Sequence, residues 1–452
     1  MSNLFKVNIL EGSLVKNLLL FALPLMFSSI LQLLFNAADI IVVGRYAGDA
    51  SMAAVSSCGA LINLIVNLFV GLSIGANVLI ARNLGAREYE KTNLAVNSAV
   101  SLSLAGGVVL TVFGYFMAPQ LLIMMDCPPD VLPLATVYLK CYFLGMPGLM
   151  LYNYGAAALR ASGDTQRPLV FLTIAGIVNF LMNLFFVIVL KLDAAGVGLA
   201  TSISQYISGC LVLLSLMKEE SALNVDLSNL KIDKDCLVEM ARIGLPAGFQ
   251  GMLFSISNVV IQSSVNSFGS IIMAGNGAAA NIEGFVYVSM NSFHQSCLTF
   301  VSQNIGASQK ARVKKIMLTS LMLVSIVGLL LGIGGYTFGD TLLRIYSKDE
   351  AVIAAGLQRL SWVCRPYFIC GIMDVLVGGL RGMGLSLMPT IVSLIGVCGL
   401  RLLWIATIFV KYRSLEILLI SYPVSWIVTS LFHALFFVIA YQKLLKEDKH
   451  VA

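Results

Sequence analysis

Four ionisable side chains stand in stretches too apolar to offer them water: Asp39, Glu283, His294 and Asp374. An ionised carboxylate in hydrocarbon costs several kcal/mol unless it is paired, so such a group takes up a proton or a cation and releases it when its surroundings change. Amides accompany the first acid. Asn36 lies one helical turn before Asp39, and Asn179 and Asn183, four residues apart, share a helix face. Glu283, in the run Asn281-Ile282-Glu283-Gly284-Phe285, has no basic residue a turn away and needs a tertiary partner, a proton or a cation. Asp374 precedes Arg381 by seven residues on nearly the same face, a spacing that admits an Asp–Arg pair. A lone histidine such as His294 is either structural or a ligand contact. Arg401 and Lys140 lie inside apolar runs, where a basic group pairs with an acid or snorkels.

Other chemistries find little support. The nine cysteines form no Cys-x-x-Cys pair, and the three histidines share no spacing, so no metal site or cofactor is expected. No HExxH, Gly-x-Ser-x-Gly or phosphate-binding Gly-rich loop is present, which argues against a hydrolase or an ATP-driven pump.

The elements holding these residues must be membrane helices. Of 452 residues, 58% are hydrophobic and 12% charged, with a mean hydropathy of +0.89. A soluble surface needs about 25% charged residues. The excess of six positive charges is spread over short loops and is no nucleic-acid signal. Twelve apolar runs of at least the roughly 20 residues that span a bilayer are expected at 14–43, 52–81, 94–118, 133–158, 169–190, 196–217, 241–267, 273–302, 316–339, 352–380, 389–410 and 417–441. The first run is too long for a cleavable signal. With the N-terminus inside, inner segments hold 19 Lys and Arg against 6 outside, so both termini are expected in the cytoplasm.

The chain also repeats itself. Leu159-Arg160-Ala161-Ser162-Gly163, leading to Pro168, recurs as Leu380-Arg381-Gly382-Met383-Gly384, leading to Pro389, at an offset of 221. Asn83-Leu84-Gly85-Ala86 recurs as Asn304-Ile305-Gly306-Ala307, and Leu23-Pro24 as Leu245-Pro246. Each half holds six spans, so the repeats are parallel, and a site is expected between them. The expected division is 1–217, a polar cytoplasmic linker at 218–240, and 241–452. The acids break the symmetry: Asp39 maps onto Ile261, Asn183 onto Trp404, Glu283 onto Ile62 and Asp374 onto Asn153.

The run from Asn36 through Asp39 to Gly44-Arg45, with Ala53-Ala54-Val55, Gly75-Ala76, Arg82-Asn83-Leu84-Gly85-Ala86 and the 159–168 loop, resembles the multidrug and toxic compound extrusion (MATE) family. The resemblance extends over about residues 14–441. It implies an all-α membrane protein of twelve transmembrane helices, two six-helix lobes arranged as a V. It implies a secondary antiporter in a bacterial-type inner membrane, acting as a monomer. Such a protein exports organic, often cationic amphipathic compounds in exchange for H⁺ or Na⁺ by alternating access.

By this resemblance Asp39 is the coupling acid, with Asn36, Asn179, Asn183 and Thr201 around it. Some members carry an acid where this chain has Asn183, which tilts the expectation toward H⁺. Some carry acids in both the seventh and tenth helices. Here the seventh has none, so Glu283, Asp374 and His294 are expected to contact substrate. A lipid-linked oligosaccharide flippase of the wider superfamily is the alternative; the scarcity of mid-membrane basic residues argues against it.

Overall fold

The computed structural model describes residues 6–449; residues 1–5 and 450–452, the outer ends of the two expected lobes, lie outside them. Among the described residues there is no strand, only an isolated bridge between Lys6 and Asp164. Twelve long helical segments follow one another: α1 Leu14–Tyr46, α2 Asp49–Gly85, α3 Tyr89–Met124, α4 Leu132–Leu144 with Met146–Ala161, α5 Gln166–Val189, α6 Asp193–Met217, α7 Lys234–Asn266, α8 Ser270–Gly306, α9 Lys310–Thr337, α10 Glu350–Gly382, α11 Leu387–Phe409 and α12 Leu415–Lys449.

Each expected run overlaps one of these helices; the runs 169–190, 241–267, 316–339 and 389–410 pass the end of theirs by one or two residues, and 133–158 crosses the break in α4. Ten are long and apolar enough to cross a membrane, and α4, bent by 45° at its break, makes an eleventh. The helix outside that group, α8, is the most polar within. Its buried residues include Asn276, Glu283, Ser292, His294, Gln303 and Asn304.

An apolar core is present, but large apolar side chains also cover the outer surface. Phe116, Leu330 and Leu431 are 70%, 68% and 66% exposed, while Asn183 and His433 are fully buried. Apolar side chains outward and polar ones inward is the pattern that a hydrocarbon solvent imposes. The chain is a multi-pass membrane protein.

The repeat is written into the backbone. Left-handed φ values occur at Gly48 and Gly269, at Arg87 and Ser308, and at Gly163 and Gly384, each pair 221 apart. The corner at Gly163 shows why. Gly163 has φ +91°, and its carbonyl accepts from the Val7 N–H at 3.0 Å. The buried Asp164 then takes the backbone N–H groups of Gln166 and Arg167 at 3.2 and 3.0 Å, satisfying donors that the start of α5 would otherwise leave open.

The packing defines two compact units, and they divide the chain differently from the expected boundaries. The first holds Phe27–Gly248 with the described residues to Val7; the second holds Asn8–Met26 and the described residues from Phe249. Thus α1 changes unit two residues after Pro24, and α7 changes unit two residues after Pro246. A proline removes an interior hydrogen bond, so both helices change allegiance where the ladder is already weakened.

The linker is also shorter than expected, because α7 begins at Lys234. The preceding loop is pinned within the first unit by Asn93 Nδ2, which donates to the Asn224 carbonyl at 2.8 Å. Elsewhere in that unit α4 and α6 meet backbone to backbone. A Cβ on Gly209 would lie 2.6 Å from the Gly148 carbonyl oxygen, so only glycine permits this approach.

Candidate functional site

In the first unit, helices α1, α5 and α6 bring the carboxylate and its amides together. Asn183 Nδ2 donates to Asp39 Oδ1 and also approaches Asn179 Oδ1 at 3.3 Å. Asn179 Nδ2 donates to Thr201 Oγ1 at 3.4 Å, and Thr201 Oγ1 donates to the Val197 carbonyl at 2.9 Å. Four of the five residues of the expected coupling site, Asp39 included, therefore form one hydrogen-bonded line across three helices. Asn36, the fifth, lines the same cavity one turn from Asp39. Immediately beyond Asn183, α5 widens into a π-helical turn over Phe185–Val189, a distortion frequent at functional positions.

The cavity is open on one side and has a volume of about 330 Å³. Its lining combines Asp39 with the polar side chains of Gln32, Asn153, Gln205 and Tyr142, and apolar ones such as Phe35. No Lys or Arg is among its lining residues. Arg45, two turns after Asp39, is exposed and forms no ion pair with it. Ionised Asp39 therefore has one amide donor, Asn183, and no counter-charge among the described residues. It can be neutralised only by a proton or by a cation entering the cavity. The buried Asn183 Oδ1 has no hydrogen-bond partner, so an acceptor stands ready beside the carboxylate.

The second unit treats its acids differently. Glu283 on α8 is held by Arg359 on α10. Arg359 Nε lies 3.0 and 3.1 Å from the two carboxylate oxygens and Nη2 lies 2.8 Å from Oε2, while Nη1 donates to Asn276 Oδ1 at 2.7 Å. The tertiary partner that Glu283 needed is thus a bidentate guanidinium, and its charge is already met.

Asp374 does not form the pair with Arg381 that the spacing admits. Arg381 Nη2 instead donates to Gln250 Oε1 at 2.9 Å, and Asp374 Oδ2 is buried without a hydrogen-bond partner. His294 Nδ1 lies 2.6 Å from the Asp374 carbonyl oxygen. A carbonyl can only accept, so Nδ1 carries the proton and fixes the tautomer. His294 and Asp374 are neighbours; Glu283 is engaged elsewhere.

Arg359 escaped the sequence reading, although a basic residue inside the apolar 352–380 run, which also holds Arg365, was the available signal for a partner to Glu283. Gln32, Gln205 and Tyr142 were also missed. The two glutamines are polar interruptions in apolar runs. Tyr142 carries no such signal, because tyrosine is ordinary in a membrane helix.

A two-repeat helical membrane protein with a lone carboxylate facing an internal cavity is built as a membrane transporter. The chain belongs to the MatE family: that family model matches residues 24–185 and again 246–406, one copy in each repeat. Among curated relatives it is 27% identical over 430 residues to the probable multidrug resistance protein YoeA of Bacillus subtilis, covering 93% of each chain. It is 26% identical to the probable multidrug resistance protein NorM of Thermotoga maritima, covering 89% and 87%. Among solved structures it shares its fold with one described as the outward-facing conformation of a multidrug resistance MATE family transporter of the MOP superfamily. The TM-score there is 0.89 at 21% identity, covering 98% and 99% of the two chains.

Proposed function

We propose that this protein is an ion-coupled multidrug exporter, with Asp39 as its coupling group. The observation that carries the reading is a carboxylate that takes the Asn183 amide in a cavity with no Lys or Arg in its lining. An organic cation and the coupling ion compete for the same negative charge. By linkage, drug binding favours release of the ion and ion binding favours release of the drug. The names of the relatives support efflux of many compounds, and the family supports antiport.

Asn183 donates to the Asp39 carboxylate, and the cavity lining offers it no basic side chain, so one neutralising ion can be exchanged for another there. Asn183, an amide rather than a second acid, favours H⁺ over Na⁺ as the partner ion. Asp374 and His294 are proposed as substrate contacts. Glu283, already paired with Arg359, is proposed to hold α8 to α10 rather than to meet substrate. The 19-to-6 bias of Lys and Arg supports an inner-membrane orientation with both termini in the cytoplasm. The protein works as a monomer in this reading.

The test is ethidium uptake into everted vesicles under separately imposed pH and Na⁺ gradients. Uptake driven by the pH gradient is expected. Uptake indifferent to both gradients would overturn antiport.

A further inference from the structure

A second cavity lies in the first unit, between the start of α3 and the loop that follows α6. It is open to the surface, has a volume of about 670 Å³ and shares no lining residue with the Asp39 cavity. Tyr89, Glu90, Asn93 and Asn97 line it from α3, at the spacing of one helix face. Asp226 and Lys231 line it from the loop. That loop is fastened to α3 at two points: Asn93 Nδ2 donates to the Asn224 carbonyl, and the Asp233 N–H donates to Ser98 Oγ at 3.0 Å.

Two features of the lining point to a ligand. Asn97 is 7% exposed, and its Nδ2 donates to the carbonyl and to Oδ1 of Asn93 at 2.9 and 3.0 Å, which fixes the orientation of the amide. Its Oδ1 is left buried with no hydrogen-bond partner, a cost that an N–H group of a ligand removes. Glu90 and Lys231 carry opposite charges on the lining of one cavity, yet neither forms an ion pair with the other or with any other described residue. The scaffold does not require this polar face. At the start of α9, 221 residues on, the equivalent positions hold Lys310, Ala311, Lys314 and Leu318.

We infer that this cavity binds a small zwitterion, a molecule or headgroup that carries a primary ammonium and an anionic group. The ammonium supplies N–H donors for the Glu90 carboxylate and for Asn97 Oδ1, and the Tyr89 ring attracts the same charge. The anionic group takes Lys231. A simple cation would face Lys231, and a simple anion would face Glu90 and Asp226, so neither matches the whole lining. An occupant that bridges Glu90 and Lys231 ties the loop to α3. The inference goes beyond the efflux reading and does not depend on it, because the two cavities have no residue in common.

The experiment is isothermal titration calorimetry of the purified, detergent-solubilised full chain with phosphoethanolamine, ethanolamine and ethyl phosphate. The last two each keep one charge of the first. Wild type is expected to bind phosphoethanolamine about 10-fold more tightly than either, the yield of one further hydrogen bond to a charged group. Glu90→Gln is expected to abolish the advantage over ethyl phosphate, and Lys231→Gln the advantage over ethanolamine. Equal affinity for the three probes in wild type, no saturable binding, or variants that weaken every probe alike overturns the site. Both variants alter exposed side chains, and the wild-type ratios decide without them. The same titration in phosphatidylcholine nanodiscs, with and without phosphatidylethanolamine, separates the sources. Phosphoethanolamine binding abolished by the second lipid assigns the site to a lipid headgroup; binding unchanged assigns it to a free zwitterion. Absence of gradient-driven ethidium transport in wild type, with the probe ratios intact, would sink the efflux reading and leave the site standing.

Discussion

Replacing Glu283 by glutamine removes one negative charge from a buried pair and changes almost nothing else. Glu283 is 3% exposed and Arg359 8%, and four contacts of 2.7 to 3.1 Å tie the guanidinium to Glu283 and Asn276. Two unit charges about 4 Å apart interact by about 4 kcal/mol at an effective dielectric near 20. Breaking a buried pair from one side costs about 3–5 kcal/mol, because the remaining ion stays buried and uncompensated. Glu283→Gln is therefore expected to destabilise the second unit by about 3–5 kcal/mol, a fall in midpoint of roughly 6 °C or more for a unit of this size. The assay is thermal unfolding in detergent, followed with a thiol-reactive dye as the buried Cys364 and Cys370 become exposed. The double variant Glu283→Leu with Arg359→Met removes both charges and is expected to recover most of the loss. A shift of less than about 1 °C for the single variant, or a double variant no better than the single, would refute the reasoning.

Other consequences follow from particular contacts. Asn183→Asp places a second carboxylate against Asp39, where two like charges must share a proton or a cation; ethidium uptake is expected to become responsive to an imposed Na⁺ gradient. Gly209→Leu puts a side chain where a Cβ would stand 2.6 Å from the Gly148 carbonyl oxygen, so the α4–α6 crossing must open. A loss of about 1–3 kcal/mol is expected for such overpacking, read as a lower melting midpoint.

Glu219 gives a pH signature in the loop after α6. Burial works to raise its carboxyl, but hydrogen bonds from Lys6 and Arg167 outweigh that and hold it below the usual glutamate range. A depressed acid contributes stability above its unfolded value, and the contribution is lost as pH falls through the folded value. The acid limb of the melting curve, below about pH 4.3, is therefore expected to flatten in Glu219→Gln.

The helices were legible because a bilayer allows so few alternatives. Runs of 20 apolar residues can only be helices there, and the 221-residue repeat showed itself through glycines and prolines whose backbone roles recur. The Asp39 cluster was legible for a similar reason: a handful of polar residues in apolar runs must find one another. Tertiary partnership was harder to read. Glu283 and Asp374 look alike in sequence, yet one meets a guanidinium from the next element but one, while the other lies beside His294 and is not hydrogen-bonded to Arg381. The packing units do not part at a loop, where polarity changes. The actual change lies inside two continuous helices, two residues past Pro24 and Pro246, where no loop signals it.

The central claim is that Asp39 exchanges the coupling ion for drug. The most direct measurement is ethidium transport by purified Asp39→Asn in proteoliposomes under an imposed pH gradient, beside wild type. The amide keeps the volume and most hydrogen bonds of the site but can neither bind nor release a proton. The account predicts that concentrative, gradient-driven transport is lost while the variant still reaches the membrane folded and equilibrates dye down its gradient. Gradient-driven accumulation equal to wild type would contradict it.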